Sequence, residues 1–190
     1  MADPRLQLAV IVGSTRVGRV APTVAAWFAR VAGTRGDMAV DVIDLADARI
    51  PDVIGSDGGP AAADIAARLV RADAFVVVTP EFNHSVPAAL KNAIDWNYEP
   101  WRAKPVGFVS YGGASGGIRA VEQLRLVFAE LHAVTVRDTV SFHWVWSQFD
   151  DRGEPTDPAR SGKAATTMLD QIRWWAEALR EARLKQPYAA

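Results

Sequence analysis

The sequence of 190 residues contains no cysteine, which excludes disulfides, thiolate metal sites, iron–sulfur clusters and cysteine nucleophiles. It also carries almost no net charge, because 21 Lys and Arg side chains oppose 22 Asp and Glu side chains for a formal charge of −1. A strongly basic nucleic-acid surface and an acidic solvating tail are therefore both excluded. Any redox chemistry would have to come from a bound cofactor.

Long apolar runs are missing as well. No uninterrupted stretch approaches the ~20 residues that a membrane-spanning helix requires. Residues 1–5 include an acid and a proline, and the apolar run 6–12 ends at a glycine rather than at a signal-peptide cleavage site. We therefore expect a cytoplasmic protein with neither membrane nor nucleic-acid partners. The length, with 49% hydrophobic and 23% charged residues, predicts one globular domain over 1–190.

Short runs rich in β-branched residues alternate with helical patterns along the chain. The predicted strands are 6–12, 39–44, 74–79, 105–110 and, more weakly, 134–140. The predicted helices are 20–32, 60–71, 87–98, 118–131 and 159–184. Three strands are apolar on both faces, as buried parallel strands are, whereas the second alternates and is expected nearer an edge. This order predicts an α/β protein with one parallel sheet covered by helices on both faces.

Ligands of such sheets bind beyond the carboxyl ends of the strands. The loop after the first strand has the sequence Gly-Ser-Thr-Arg-Val-Gly-Arg at 13–19 and opens a predicted helix. Backbone N–H groups and the positive end of the helix dipole favour a phosphate there. The hydroxyls of Ser14 and Thr15 and the charges of Arg16 and Arg19 add donors. We predict a phosphate-binding loop rather than a plain strand-to-helix turn.

Two better-known phosphate motifs fit this loop less well. A nucleotide-hydrolysing P-loop is improbable because Gly18 is followed by arginine and valine, not by lysine and a hydroxyl residue. The dinucleotide fingerprint is weakened because Thr15 stands where its second glycine is required. Asp41 and Asp44, near the end of the second strand, keep that alternative open as candidate ribose-binding acids. The favoured ligand is a terminal monophosphate.

The loops after the third and fourth strands suit a flat ligand. Residues 79–87 place polar side chains between two prolines, which stiffen the segment and suit it to present backbone donors to a rigid ring. Residues 111–117 are rich in glycine, which lets the main chain approach a planar group closely. Taken alone, a glycine-rich loop is only a turn. Three unusual loops at one predicted sheet edge together indicate a binding site.

These segments resemble the signatures of the NAD(P)H-dependent FMN reductase family of flavodoxin-like proteins. Residues 13–19, 79–96 and 110–117 resemble its three signatures, and 149–157 also has a counterpart, so the likeness spans nearly the whole chain. The resemblance implies a flavodoxin-like three-layer sandwich with a five-stranded parallel sheet in the order 2-1-3-4-5. It also implies bound FMN, NADPH or NADH as the reductant, and a homodimer or, in some members, a homotetramer.

The resemblance also implies the residues that hold the cofactor. Those implied at the FMN phosphate are Ser14, Thr15, Arg16, Gly18 and Arg19. Those implied at the isoalloxazine ring, largely through main chain, are Pro80, Glu81, Phe82 and Asn83. Those implied at the other ring edge or the ribityl chain are Ser110, Gly112 and Gly113. The family usually has tyrosine where Phe82 stands, so a phenolic contact to substrate is missing here.

The remaining reactive and aromatic residues receive plainer interpretations. His84, beside the implied ring, is a candidate proton donor to a reduced quinone, although a solvent-facing histidine is the commoner case. No metal site is predicted, because the other histidines lack ligands at suitable spacing. The aromatics Trp96, Tyr98 and Trp101 predict a two-fold dimer contact. The tryptophans expected to be core or interface residues are Trp144, Trp146, Trp174 and Trp175.

The favoured function is hydride transfer from NAD(P)H through bound FMN to quinones, free flavin or other small acceptors, with no catalytic nucleophile. A flavodoxin-like electron carrier serving protein partners is an alternative, but such carriers usually rely on a strong surface charge. A non-flavin NAD-binding domain is a second alternative. A visible spectrum and steady NAD(P)H consumption with a quinone distinguish the three.

Overall fold

The computed structural model describes residues 5–55 and 57–189. The interpretation of the first four residues therefore lies outside the described part of the chain. The strands are β1 (Leu6–Val12), β2 (Met38–Asp44), β3 (Ala74–Pro80), β4 (Pro105–Tyr111), β5 (Val134–Thr135) and β6 (Val140–Phe142). The helices are α1 (Ala21–Gly33), α2 (Leu45–Ala48), α3 (Gly59–Arg71), α4 (Ala88–Asp95), α5 (Ile118–Glu130) and α6 (Pro158–Lys185).

All strand pairs in the sheet are parallel, in the order β2-β1-β3-β4-β5, with β6 also paired to β4. The edge position of β2 agrees with its alternating sequence, since Val42 is 42% exposed while the next residue, Ile43, is buried. The predicted flavodoxin-like order 2-1-3-4-5 is confirmed.

Successive side chains of the central strands pack against different helices. In β1, Leu8 and Val10 belong to the apolar cluster formed with α1 and α6, whereas Ala9 and Ile11 belong to the cluster formed with α3, α4 and α5. In β4, a Cβ on Gly107 would lie 2.7 Å from Ile172 Cδ1, so this glycine allows α6 to pack directly on the sheet. The expected layers on both faces of the sheet are therefore present.

The prediction of one strand over 134–140 is wrong. Pro105 pairs with Val134, and Val109 pairs with Val140. The two positions are four residues apart in β4 but six residues apart in the edge segment. Two extra residues therefore form a bulge between β5 and β6. The Arg125 guanidinium from α5 donates to the carbonyls of Val136 (2.8 Å) and Arg137 (2.9 Å). The Arg125 side chain thus provides hydrogen bonds to backbone carbonyls where the strand pairing is interrupted.

Two further segments differ from prediction in detail. The helix expected over 87–98 ends at Asp95 and is followed by a short 3-10 turn, Glu99–Trp101. The short helix α2 was not predicted, and its N-cap is Asp44, whose carboxylate accepts a hydrogen bond from Ala46 N at 3.0 Å. Within the described residues, no helix combines the length and apolar character needed to cross a bilayer.

Candidate cofactor-binding site

The loops that follow β1, β3 and β4 meet at one edge of the sheet, where they line a cleft of about 310 Å³. The meeting follows from the parallel sheet, whose strands all end at that edge. The predicted residues that line the cleft are Ser14, Arg16, Gly18, Arg19, Pro80, Glu81, Phe82, Gly112 and Gly113. Asn83 and Ser110 do not line it, and Thr15 lines a neighbouring cavity of about 230 Å³ instead.

The first loop leads into a helix terminus without a side-chain cap. Gly13 N donates to Val78 O at 2.9 Å, which closes the end of β1 onto β3. Gly18 then adopts a φ of +71°, and α1 begins after Val20 with no side-chain hydrogen bond to its first turn. The first turn offers few backbone donors, because Pro22 has no N–H and Thr23 N donates to Val20 O at 3.1 Å. The positive end of the helix dipole is therefore what favours an anion beside the cleft.

The two arginines of this loop have different environments. Arg19 is held by Asp44 through two hydrogen bonds (2.5 and 2.8 Å) and donates a third to Ser14 O (2.7 Å). The Asp44 hydrogen bond raises the pKa of Arg19, against the opposing effect of burial. Arg16 is exposed and makes no side-chain hydrogen bond or ion pair with the described residues. Arg16 is therefore the cation left available to a ligand, whereas Arg19 fixes the loop.

The same pairs weaken the dinucleotide alternative. Asp44 is occupied by Arg19, and Asp41 is occupied by Arg68, whose Nε donates to it at 3.0 Å. The Arg68 hydrogen bond lowers the pKa of Asp41 despite partial burial. Each candidate acid is thus already paired with an arginine of this protein, which makes a role in ribose binding less suited to either.

The loop after β3 forms a tight turn. Phe82 N and Ser85 N each donate to the carbonyl of the other residue at 2.9 Å. The two residues between them, Asn83 and His84, have φ angles of +50° and +66°, which is the backbone of a type I′ turn. His84 is exposed and does not line the cleft. Its role as a proton donor stays a prediction.

The Glu81 carboxylate ties this loop to α5. It accepts hydrogen bonds from Ser115 Oγ (2.9 Å), from Arg119 N (3.1 Å) and from Arg119 Nη1 (2.7 Å), and its side chain is 7% exposed. Burial opposes ionisation, but the hydrogen bonds from Arg119 and Ser115 outweigh it and lower the pKa of Glu81. The carboxylate is satisfied within the protein, and Glu81 N donates to Tyr111 O at 3.2 Å, so the backbone carbonyl of Glu81 is the polar group left for a ligand.

The glycine loop after β4 is shaped by close packing. At Gly117, φ is +87° and a Cβ would lie 2.7 Å from Ser110 Cβ, so another residue would not fit. The hydroxyls of Ser110 and Ser141 both donate to Gly116 O at 2.8 Å. Ser110 is fully buried, so its hydroxyl holds the loop and does not enter the cleft. Its predicted contribution to the site is therefore indirect.

Tyr111 is a cleft residue that the sequence analysis did not identify. Burial raises the pKa of its phenol well above the ordinary value, with Ser14 and Arg19 opposing the rise in part, so the hydroxyl is neutral. Among the described residues the hydroxyl has no hydrogen-bond partner of normal geometry. A buried polar atom without a partner costs free energy, and a ligand in the cleft would relieve that cost.

Trp146 and Val145 line the cleft as well. Trp144 and Trp146 were expected to be core or interface residues; they are 53% and 68% exposed, so they do not belong to the core, and an interface role stays a prediction. They follow β6, whose carboxyl end reaches the same sheet edge. The signal that could have identified them is their place directly after the fifth predicted strand.

The aromatics that motivated the dimer prediction belong mainly to the fold. Trp101 is 1% exposed and packs between Phe75 and Phe128 in the core. Trp96 is half-buried, and its indole N–H donates to Pro51 O at 2.9 Å. Only Tyr98 of the three is exposed. The described residues also contain no group of three side chains suited to hold a metal ion.

A helix start, an arginine without a described partner and two loops therefore border one open cleft. Residues 6–147 match the sequence model of the family described as NADPH-dependent FMN reductase, so the chain belongs to this family, as its signatures predicted.

Individual relatives support the assignment. The chain is 35% identical over 122 residues to an NAD(P)H-dependent FMN reductase of Schizosaccharomyces pombe, covering 58% of this chain but only 60% of that protein. It is 36% identical over 142 residues to a quinone reductase of Escherichia coli, covering 70% and 74% of the two chains. The solved structure of FerB, a flavoenzyme NAD(P)H:(acceptor) oxidoreductase of Paracoccus denitrificans, shares the fold, with a TM-score of 0.75 at 21% identity over 90% of this chain and 98% of that one.

The residues of the cleft fit FMN. The phosphate would lie against Arg16 and the first turn of α1, where donors and charge are available. The ring would meet main-chain groups of Pro80 to Phe82 on one side and of Gly112 and Gly113 on the other. The Tyr111 hydroxyl supplies one further donor without a partner. The set contains no charged carboxylate free to repel a phosphate.

Proposed function

We propose that this protein is an FMN-dependent oxidoreductase that uses NADPH or NADH to reduce quinones, free flavin or other small acceptors. The observation that carries the proposal is the cleft formed by the three signature loops, with Arg16 unpaired at its phosphate end. When bound, FMN supplies the redox chemistry, taking a hydride from the coenzyme and passing electrons to the acceptor.

The chain's own residues bind and orient under this proposal. Arg16 and the first turn of α1 hold the phosphate, and the main chain of the cleft residues at 80–82 and of Gly112 and Gly113 holds the ring. The Arg19–Asp44 ion pair fixes the loop after β1, and the Glu81–Arg119 ion pair fixes the loop after β3. The lining includes no nucleophile activated by a neighbouring base, which agrees with chemistry carried by a cofactor.

Three measurements on the purified protein test the function. Titration with FMN, followed by flavin absorbance and fluorescence, should show stoichiometric binding, with FAD bound more weakly. NADPH and NADH are then each supplied with a naphthoquinone, and steady coenzyme oxidation supports the oxidoreductase. FMN binding without coenzyme oxidation would favour an electron carrier instead. Absence of flavin binding would contradict the proposed function.

The proposal extends to the state of the protein in the cell. We propose a single domain over residues 1–190, a cytoplasmic location where NAD(P)H is supplied, and a homodimer or homotetramer. The exposed ring pair of Trp174 and Trp175 on α6, with centroids 4.8 Å apart, supports association because large apolar side chains seldom stay in water. Light scattering at micromolar concentration tests it, and a monomer mass would contradict it.

A further inference from the structure

Trp146 combines high solvent exposure with a position in the wall of the cleft. It is 68% exposed, yet it forms part of the cleft wall, together with Phe82 from the loop after β3. Its ring packs close to the main chain of Gly113, where an added Cβ would lie 3.7 Å from the indole. The indole therefore lies beside the loop proposed to hold the flavin and still presents apolar area to solvent.

The segment that carries Trp146 is firmly anchored. Trp144 N donates to Gly113 O at 2.9 Å, and Val145 N donates to Gly112 O at 3.1 Å. The His143 ring hydrogen-bonds Ala114 O through Nδ1 at 2.8 Å. Trp144 packs edge-on against Trp146, with ring centroids 5.5 Å apart. Four contacts thus fix the tryptophan relative to the glycine loop.

We propose that Trp146 is a specificity-determining residue that stacks on planar aromatic acceptors and so favours quinones over non-planar oxidants. This inference rests on the proposed function. A held aromatic ring offers a stacking surface at little cost in side-chain entropy, and every quinone has a flat face to match. Phe82, a second aromatic residue of the same cleft, lacks a hydroxyl and so adds apolar surface to the lining.

The test compares two acceptors of different shape. Wild type, Trp146→Ala and Trp146→Phe are each supplied with saturating coenzyme and either a naphthoquinone or ferricyanide, which is octahedral and cannot stack. Leu126→Ala is the control, because Leu126 is an apolar side chain that is 76% exposed on α5, outside the cleft. Binding of 1-naphthol, a planar compound that cannot be reduced in this way, is measured by calorimetry as a readout independent of turnover.

In Trp146→Ala, the ratio of kcat/KM for the quinone to that for ferricyanide should fall roughly 3- to 10-fold, the range of one aromatic stacking pair. The change should lie in KM, naphthol binding should weaken in parallel, and Trp146→Phe should recover most of it. Leu126→Ala should keep the wild-type ratio.

An unchanged ratio in Trp146→Ala would overturn the inference. So would a parallel loss for both acceptors with weaker FMN binding, because Trp146 would then contact the cofactor. A change in oligomer mass in Trp146→Ala would also overturn it, since a second copy would then cover the ring. A wild-type protein without coenzyme oxidation would instead defeat the proposed function, so the two failures are distinguishable.

Discussion

The sharpest test of the site removes Arg16, the cleft arginine whose side chain pairs with none of the described residues. Arg16→Ala deletes a guanidinium that has no partner among the described residues, so the free protein should lose little stability. A charge-assisted hydrogen bond contributes ~1.5–3 kcal/mol, which corresponds to ~10- to 150-fold weaker FMN binding. Riboflavin has the same ring without the phosphate, so its affinity should barely change.

The assay is a fluorescence titration of FMN and of riboflavin with each variant. Arg16→Lys should recover only part of the loss, because an ammonium cannot form the planar two-bond contact of a guanidinium. Arg137→Ala is a matched control, since Arg137 lies far from the cleft, between β5 and β6, with a side chain 89% exposed. It should bind both ligands as the wild type does.

Arg19→Ala should behave differently from Arg16→Ala. Arg19 joins Ser14 O to Asp44, so its loss releases the loop and should weaken FMN and riboflavin together. If Arg16→Ala weakens both ligands equally, Arg16 supports the loop and the phosphate assignment is wrong. If Arg19→Ala alone discriminates between the ligands, the roles of the two arginines are reversed.

Three further variants test other parts of the structure. Glu81→Gln removes the charge that Arg119 neutralises and should weaken FMN and riboflavin alike in the same titration; a loss confined to FMN would contradict the loop-fixing role. Burial lowers the pKa of Lys104 to about 8, so the unfolded chain binds more protons above that pH. The free energy of unfolding should therefore rise by ~2 kcal/mol between pH 7.5 and 9.5 in urea titrations, relative to Lys104→Met. His84→Gly relieves a positive φ and should stabilise the fold by ~1 kcal/mol in thermal unfolding. If kcat for quinone reduction is unchanged in this variant, His84 is not the proton donor.

The central strands could be predicted closely from the sequence, whereas the last strand could not. Strand β1 begins and ends where its apolar run does, since a strand buried on both faces is marked by composition alone. The break between β5 and β6 depends on Arg125 of α5 and on Gln171 of α6, which accepts from Asp138 N at 3.0 Å. Such partners lie on distant elements, and a local pattern does not reveal them.

The meeting of the loops at one cleft was predictable for a topological reason, but the different environments of its two arginines were not. Loops after buried parallel strands meet at one edge, so the three signatures had to converge. Arg16 and Arg19 look equivalent in sequence, because the partner of Arg19 is Asp44, on another strand. The place of Trp146 after the fifth predicted strand indicated the same sheet edge, but the hydrogen bonds of Trp144 and Val145 to the glycine loop, which put it beside the cleft, join residues about 30 positions apart.

The bulge between β5 and β6 determines which insertions and deletions this edge of the sheet can accommodate. Because it contains an even number of extra residues, Val136, Val140 and Phe142 all stay in the same apolar cluster. Deleting one residue at 137–139 would turn the last two of these away from that cluster, whereas deleting two would preserve the alternation. Insertions and deletions in pairs can therefore be absorbed at this edge, while those of one residue would shift the segment that carries Trp146.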